Sequence, residues 1–176
     1  ANNIKVFAVK GTFDDCQSIV KGLFADKDLV RDVNLSGVNS INWARILVQI
    51  VYYFSAFYQM KDFSERKLSF SVPTGNFGDA YAGYLSKKMG LPINKIIVAT
   101  NKNDILDRVF KTGIYKSSGV SKTLSPSMDI QVASNFERLL FNLLNNDTNE
   151  VSKLMNKLSN KGSFNLDKEI TSVSYT

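Results

Sequence analysis

The sequence predicts an α/β fold, an open and mainly parallel sheet with flanking helices, and three adjacent stretches predict it. Leu68, Phe70 and Val72 alternate with polar residues as in a half-buried strand. Residues 80–89 then read as a helix, closed by Gly90 and Pro92. Lys95-Ile-Ile-Val-Ala-Thr100 is an unbroken apolar run of the kind buried in parallel sheets, and Ile105 to Phe110 begins another helix that ends near Gly113. Strand, helix, strand, helix in quick succession argues for right-handed βαβ units. Ligands of such sheets lie beyond the carboxyl ends of the strands. Here those ends are residues 73–79 and 100–104, which are expected to face one site.

From the start of the chain, Ile4-Lys-Val-Phe-Ala-Val9 reads as a strand. Thr12 is a good helix N-cap, with Asp14 and Asp15 in the first turn where negative charge suits the dipole. Thr12-Phe-Asp-Asp15 is therefore read as a capping motif rather than a catalytic carboxylate pair. Cys16, Ile19, Val20, Leu23 and Phe24 recur at helical spacing as a buried face. Residues 29–40 read as a strand ending in polar residues. The longest apolar run, 41–58, is hydrophobic on nearly every side from Ile46 onward and predicts a helix buried in the core. Arg45 and Gln49 interrupt it, and it is too short to span a membrane. At its start, Asn39, Ser40, Asn42 and Arg45 are open to two readings. They are caps with one snorkelling arginine, or they bind an anion or carboxylate at a helix N-terminus.

Beyond Gly113, residues 116–127 form a Ser/Lys/Gly loop. Ser134 and Asn135 cap a helix whose stripe is Val132, Phe136, Leu139, Leu140 and Leu143. Residues 151–158 make a modest helix, and residues 161–166 a turn. No internal repeat or flexible linker stands out.

Composition removes whole classes of chemistry. The chain has no histidine and a single cysteine, Cys16. Histidine triads, imidazole bases and transition-metal ligand sets are excluded, so no metal site is expected. One cysteine cannot close an internal disulfide, which favours a reducing compartment, the cytoplasm. The net charge of +6 comes from Lys and Arg spread along the chain without interleaved aromatics, so neither nucleic acid nor membrane is expected as a partner.

The turn Pro73-Thr-Gly-Asn-Phe-Gly-Asp79 carries the strongest chemical signal. Pro73 ends the strand because its ring nitrogen cannot donate to the sheet. Gly75 and Gly78 bracket the bend, and the helix that follows leaves amide N–H groups unpaired at the positive end of its dipole. Such a bend binds anions, phosphate above all. A bare Gly-x-x-Gly is a weak signal, and an ordinary βα turn would use glycine for geometry alone.

Five motifs in order make the reading specific. Gly11-Thr-Phe-Asp-Asp-Cys-Gln17, Asn39-Ser-Ile-Asn-Trp-Ala-Arg45, Pro73-Thr-Gly-Asn-Phe-Gly-Asp79, Ala99-Thr-Asn-Lys-Asn-Asp104 and Ser127-Met-Asp-Ile-Gln-Val-Ala-Ser-Asn-Phe-Glu-Arg138 resemble the threonine synthase family of bacteria and fungi. The resemblance runs through nearly the whole chain. It implies a tryptophan-synthase-β-like fold that binds pyridoxal 5'-phosphate and converts O-phospho-L-homoserine and water into L-threonine and phosphate. It further implies that Gly75, Asn76, Phe77, Gly78 and Asp79 cradle the cofactor phosphate. Asn39, Ser40, Asn42 and Arg45 would lie towards the substrate, and Asn101, Asn103, Asp104, Ser134 and Asn135 would line the cleft.

The family's Schiff-base lysine belongs to a segment upstream of Gly11 that is not in this sequence, and no lysine here stands in its motif. The loop that grips the substrate carboxylate is also missing. The chain is thus expected to be an internal fragment, inactive by itself. Residues 1–38 would be the end of the small domain and 39–176 the first part of the large one. Apolar residues of helix 41–58 would then be left uncovered and favour self-association. The competing expectation is a non-catalytic α/β module that binds an anion or nucleotide, although the turn has neither a P-loop Gly-Lys-Ser/Thr nor a full Gly-x-Gly-x-x-Gly.

Overall fold

The computed structural model describes residues 2–39, 41–60 and 68–167. The chain divides into two compact units, Ala1–Ser36 and Gly37–Thr176.

The first unit holds α1 (Phe13–Ala25) and α2 (Lys27–Val33). Thr12 opens α1 with a reciprocal cap: its hydroxyl accepts from the Asp15 amide, and its own amide donates to the Asp15 carboxylate at 2.6 Å. These bonds hold the Asp15 carboxyl below the ordinary carboxylate range. Three expectations fail in this unit. Residues 4–9 are not a strand: Val6 and Phe7 are exposed, and no described segment pairs with them. An apolar alternation becomes a strand only beside another one. The strand expected over residues 29–40 is absent among the described residues, and its first residues, 29–33, belong to helix α2. Asp26 caps the Asp28 and Leu29 amides, Arg31 pairs with Asp28 at 3.1 Å, and local bonds outweigh the β-preference of Val30 and Val33. The proposed buried face of α1 is also largely open, with Ile19, Leu23 and Phe24 exposed, because two short helices offer little to bury it against.

The second unit is the α/β part. It begins with α3 (Trp43–Gln59), capped by Asn42, whose side chain accepts from the Ala44 amide. Strands β1 (Leu68–Pro73) and β2 (Ile93–Ala99) pair in parallel, from Ser69 opposite Lys95 to Pro73 opposite Ala99. Helix α4 (Gly78–Lys88) connects them, as the βαβ reading requires. Then come α5 (Ile105–Thr112), β3 (Ile114–Lys116), α6 (Phe136–Leu143), α7 (Thr148–Lys161) and β4 (Ser163–Asn165). Gly113 and Gly162 end α5 and α7 in the left-handed conformation, where glycine has no Cβ to clash. The antiparallel β3–β4 pair was not expected; each strand is three residues long, too short to show alternation, and β4 replaces a supposed turn.

Helix α3 is amphipathic rather than buried all round. Ile46, Ile50 and Tyr53 enter the core at helical spacing, whereas Leu47, Val48, Val51 and Tyr52 are about half exposed. The core also contains a chain of rings: Phe164 stacks on Tyr115, Tyr115 on Phe136, and Phe136 meets Phe77 edge to face. The Tyr115 hydroxyl accepts from the Ala133 amide at 2.8 Å, so this buried ring keeps its polar atom satisfied.

Contact between α3 and α4 depends on Gly83. A Cβ there would lie 2.7 Å from the Tyr53 ring, and that ring is fixed because its hydroxyl donates to the Asp79 carbonyl at 2.9 Å. Alanine normally gains about 1 kcal/mol over glycine inside a helix. Here overpacking reverses the sign, and Gly83→Ala is expected to cost about 1–3 kcal/mol, as measured by urea unfolding.

Candidate functional site

Beyond Pro73 the β1–β2 ladder continues by one bond, from the Thr74 amide to the Ala99 carbonyl at 3.1 Å, which sets the two strand ends side by side. The chain then turns through Gly75 and Asn76 to Phe77, whose φ of 62° is left-handed. A phenylalanine there is strained by roughly 1–3 kcal/mol. Its buried ring, wedged against Phe110 and Phe136, holds it in place. Helix α4 starts at Gly78 with no side-chain cap. The amides of its first turn therefore have no helical acceptor and point out along the positive end of the dipole.

The glycines differ in what they make possible. A Cβ on Gly75 would fall 2.7 Å from Ile130 Cδ1 and 3.1 Å from the Met128 Cα, so the backbone at 128–130 presses directly on the turn. At Gly78 a Cβ would meet ordinary contacts with Asn135 and Ile46, at 3.4 Å each. Glycine is required at the first position by packing and is not at the second.

On the far side of the turn lies the start of α6. The backbone amide of Asn135 donates to the Asn76 carbonyl at 3.1 Å, and its side-chain Nδ2 donates to the same oxygen at 3.3 Å. Arg138 Nε in turn donates to Asn135 Oδ1 at 2.9 Å. Ser134 is buried alongside.

The strand-end asparagines are placed differently. Asn101 and Asn103 converge on the carboxylate of Asp129, at 2.8 and 3.0 Å, together with the hydroxyl and amide of Thr123. Thr123 above all, then the asparagines, hold the Asp129 carboxyl below the usual range. Asn103 also clasps Ser121, accepting from its amide and donating to its carbonyl. Asp104 begins α5 and pairs with Arg108, which reaches Gln131 and the Lys116 carbonyl. This net pins residues 116–131 over the strand ends, and the same segment supplies the Met128 and Ile130 that press on Gly75.

No protein-family profile matches the sequence. Threonine synthase from Saccharomyces cerevisiae is 50% identical over 96% of this chain. Threonine synthase from Corynebacterium glutamicum is 49% identical over 93% of it. The solved structure of pyridoxal-phosphate-bound threonine synthase from Brucella melitensis superposes on 94% of the chain with a TM-score of 0.82 at 52% identity, and the yeast enzyme on 98% with 0.83 at 48%. Over nearly its whole length the chain is similar in sequence and in fold to threonine synthases. It spans about 35% of the length of these curated relatives and 36% of the two solved chains. No described helix is long and apolar enough to cross a membrane.

Within this threonine synthase fold the residues before α3 are tied to their own backbone. Asn39 Oδ1 accepts from the Ile41 amide, Asn42 caps α3 and also donates to the Gly37 carbonyl, and Arg45 donates to the Val38 carbonyl. Ser40 lies outside the described residues. Arg138 connects this segment to the turn, because its second nitrogen donates to the Ile41 carbonyl at 2.8 Å. A groove of roughly 690 Å³ runs along β2, lined by Lys95, Ile97, Tyr84 and Lys111 and reaching Phe77 of the turn and Ala80 of α4.

Sequence reasoning missed Arg138 and Asp129 as site residues, although both lie in the quoted 127–138 stretch. Arg138 stands three residues after Asn135, on the same helix face, and that spacing was the available signal.

Asp79 is the one acid in the first turn of α4. Burial raises its pKa from the ordinary 3.8, and the Tyr53 hydroxyl only partly opposes the shift. Its Oδ1 and the Oε1 of Gln49 are buried without a hydrogen-bond partner. A carboxyl raised in the folded state favours folding at low pH, and that advantage fades as pH rises from the unfolded value through the folded one. Asp129 and Asp15 work the opposite way, and their loss falls below 3.8. Asp79→Asn is therefore expected to melt progressively higher than the parent chain as pH rises from about 4 to about 7. Thermal melts that keep a constant gap across that range would contradict it.

Proposed function

We propose that the chain is part of a pyridoxal-phosphate enzyme that converts O-phospho-L-homoserine and water into L-threonine and phosphate, with residues 75–79 holding the cofactor phosphate. The observation that carries this is the start of α4, where an uncapped helix end follows a left-handed Phe77 and a glycine too crowded for any side chain. The backbone of Gly75, Asn76, Phe77, Gly78 and Asp79 would supply N–H donors, the mode suited to a phosphate dianion. When bound, the cofactor supplies an electron sink for chemistry on the amino acid.

The chain's own residues position and enclose. Asn135 and Arg138 fix the turn, while Asn101, Asn103 and Asp129 keep residues 116–131 closed over the strand ends. Asn39, Ser40, Asn42 and Arg45 are proposed to border the substrate, as are Asp104 and Ser134. In this reading residues 1–38 finish a small domain and residues 39–176 begin a large one; the division of the chain at Ser36 and Gly37 supports it. The exposed face of α3 supports cover by further protein, whether more of the enzyme or a second copy. A single free cysteine, Cys16, supports a cytoplasmic setting.

None of the residues placed around the turn is a lysine. The 176-residue chain is expected to bind pyridoxal phosphate and inorganic phosphate competitively by calorimetry, yet to release no threonine from O-phospho-L-homoserine. Gly75→Ala, which forces Ile130 and the Met128 backbone away, should weaken both ligands by about tenfold or more. Preference for a nucleoside triphosphate over pyridoxal phosphate, or binding unchanged in Gly75→Ala, would sink the assignment.

A further inference from the structure

Arg138 makes contacts that a surface-facing helix residue has no need of. Its Nε donates to Asn135 Oδ1 at 2.9 Å, another guanidinium nitrogen donates to the Ile41 carbonyl at 2.8 Å, and the group lies over the Trp43 ring, 5.4 Å from its centre. We propose that Arg138 is a positioning residue for the phosphate turn, acting through Asn135, and that it links the state of the turn to the start of α3. The inference rests on the reading of residues 75–79 as a phosphate site.

The argument begins with the asparagine. Asn135 is fully buried, and a side-chain amide has an acceptor end and a donor end that differ only by a flip. Because Arg138 can only donate, its bond fixes Oδ1 on its own side and leaves Nδ2 facing Asn76. Flipped, the asparagine would set oxygen against the Asn76 carbonyl oxygen and an N–H against the guanidinium. With the flip settled, the Asn76 carbonyl receives two donors from Asn135, one from the backbone and one from the side chain. A trans peptide is planar, with its C=O and N–H pointing in opposite directions. Pinning the Asn76 carbonyl towards α6 therefore aims the Phe77 amide away from α6, into the mouth of the turn. Arg138 thus orients a donor it does not touch.

The same guanidinium spans to the other candidate segment. Its bond to Ile41 and its stacking on Trp43 hold the first turn of α3 to α6. Movement of the Asn76–Phe77 peptide on anion binding would pass through Asn135 to Arg138, and from there to Trp43. Lysine cannot replace this geometry, since it lacks a planar fork with donors in fixed directions.

Trp43 is the only tryptophan in the chain, so its emission reads this link directly. Inorganic phosphate titrated into the chain should change Trp43 emission with the midpoint found by calorimetry. R138K keeps the charge but not the fork; it should weaken phosphate binding about tenfold and abolish the emission change. N135A keeps Arg138 and should weaken binding to a similar extent. It tests the same relay should R138K fail to fold, which melting curves decide. Because both act through one peptide, the R138K/N135A pair should lose little more than the worse single variant. Phosphate binding within about twofold of the parent chain in N135A or in folded R138K, or losses that multiply in the pair, would overturn the relay and leave the phosphate site standing. No phosphate binding by the unsubstituted chain would overturn both.

Discussion

The carbonyl oxygen of Asn76 is the atom on which the candidate site depends. A turn rich in glycine and free of side-chain caps has no intrinsic reason to keep one shape, since its backbone has more accessible conformations than any other kind. The structure removes that freedom from outside. Two donors from Asn135 hold the oxygen, Ile130 and Met128 close over Gly75, and the Phe77 ring is buried among aromatics. Before any anion arrives the turn is consequently held in one resting shape although its own sequence is permissive. That matters because donors aimed in advance need only shift, not be ordered, when the anion arrives.

How much of this was legible follows from the range of the forces involved. The β1–α4–β2 unit was read with small errors because alternation, helical spacing and glycine stops are local signals, and its residues obey them. Thr12 was read as a cap for the same reason, whereas Asn135 stands at the start of α6 without a side-chain cap bond, its amide being taken by Asn76 and Arg138. The strand expected at 4–9 and the helix found at 27–33 show the limit: Val6 and Phe7 have strand preference without a strand to meet, while Asp26 and the Asp28–Arg31 pair decide the helix by contacts three residues apart. Asp129, and Arg138 beyond its local spacing to Asn135, were out of reach for another reason. Asp129 matters because Asn101 and Asn103 meet it across 28 and 26 residues, and Arg138 because Ile41 lies 97 residues away. No periodicity records such pairings.

Charge at the turn raises a question that geometry alone does not answer. An acid in the first turn of a helix ordinarily stabilises it, and Asp79 occupies that place. An anion site there would have to share its field with the carboxylate. Burial raises the pKa of Asp79, and the Tyr53 hydroxyl donates to the adjacent backbone carbonyl rather than leaving it to solvent. The arrangement keeps an unpartnered oxygen in the interior, a cost the fold need not carry if stability were the only requirement.

Phe77 makes the same point in backbone terms. A glycine at a left-handed position would relieve the strain, and the neighbouring sequence shows that glycines are available to this turn. A phenylalanine is useful there only if its ring does something a glycine cannot. That ring belongs to a continuous chain of ring contacts running through Phe136 and Tyr115 to Phe164 on β4. Replacing it would remove the link between the bend and the β3–β4 pair, leaving the bend held by Asn135 and by the packing of Ile130 and Met128 on Gly75. Strain in φ is thus the local consequence of anchoring a mobile kind of loop to the core by its middle residue. A βα turn that served only to reverse the chain would have no use for such an anchor.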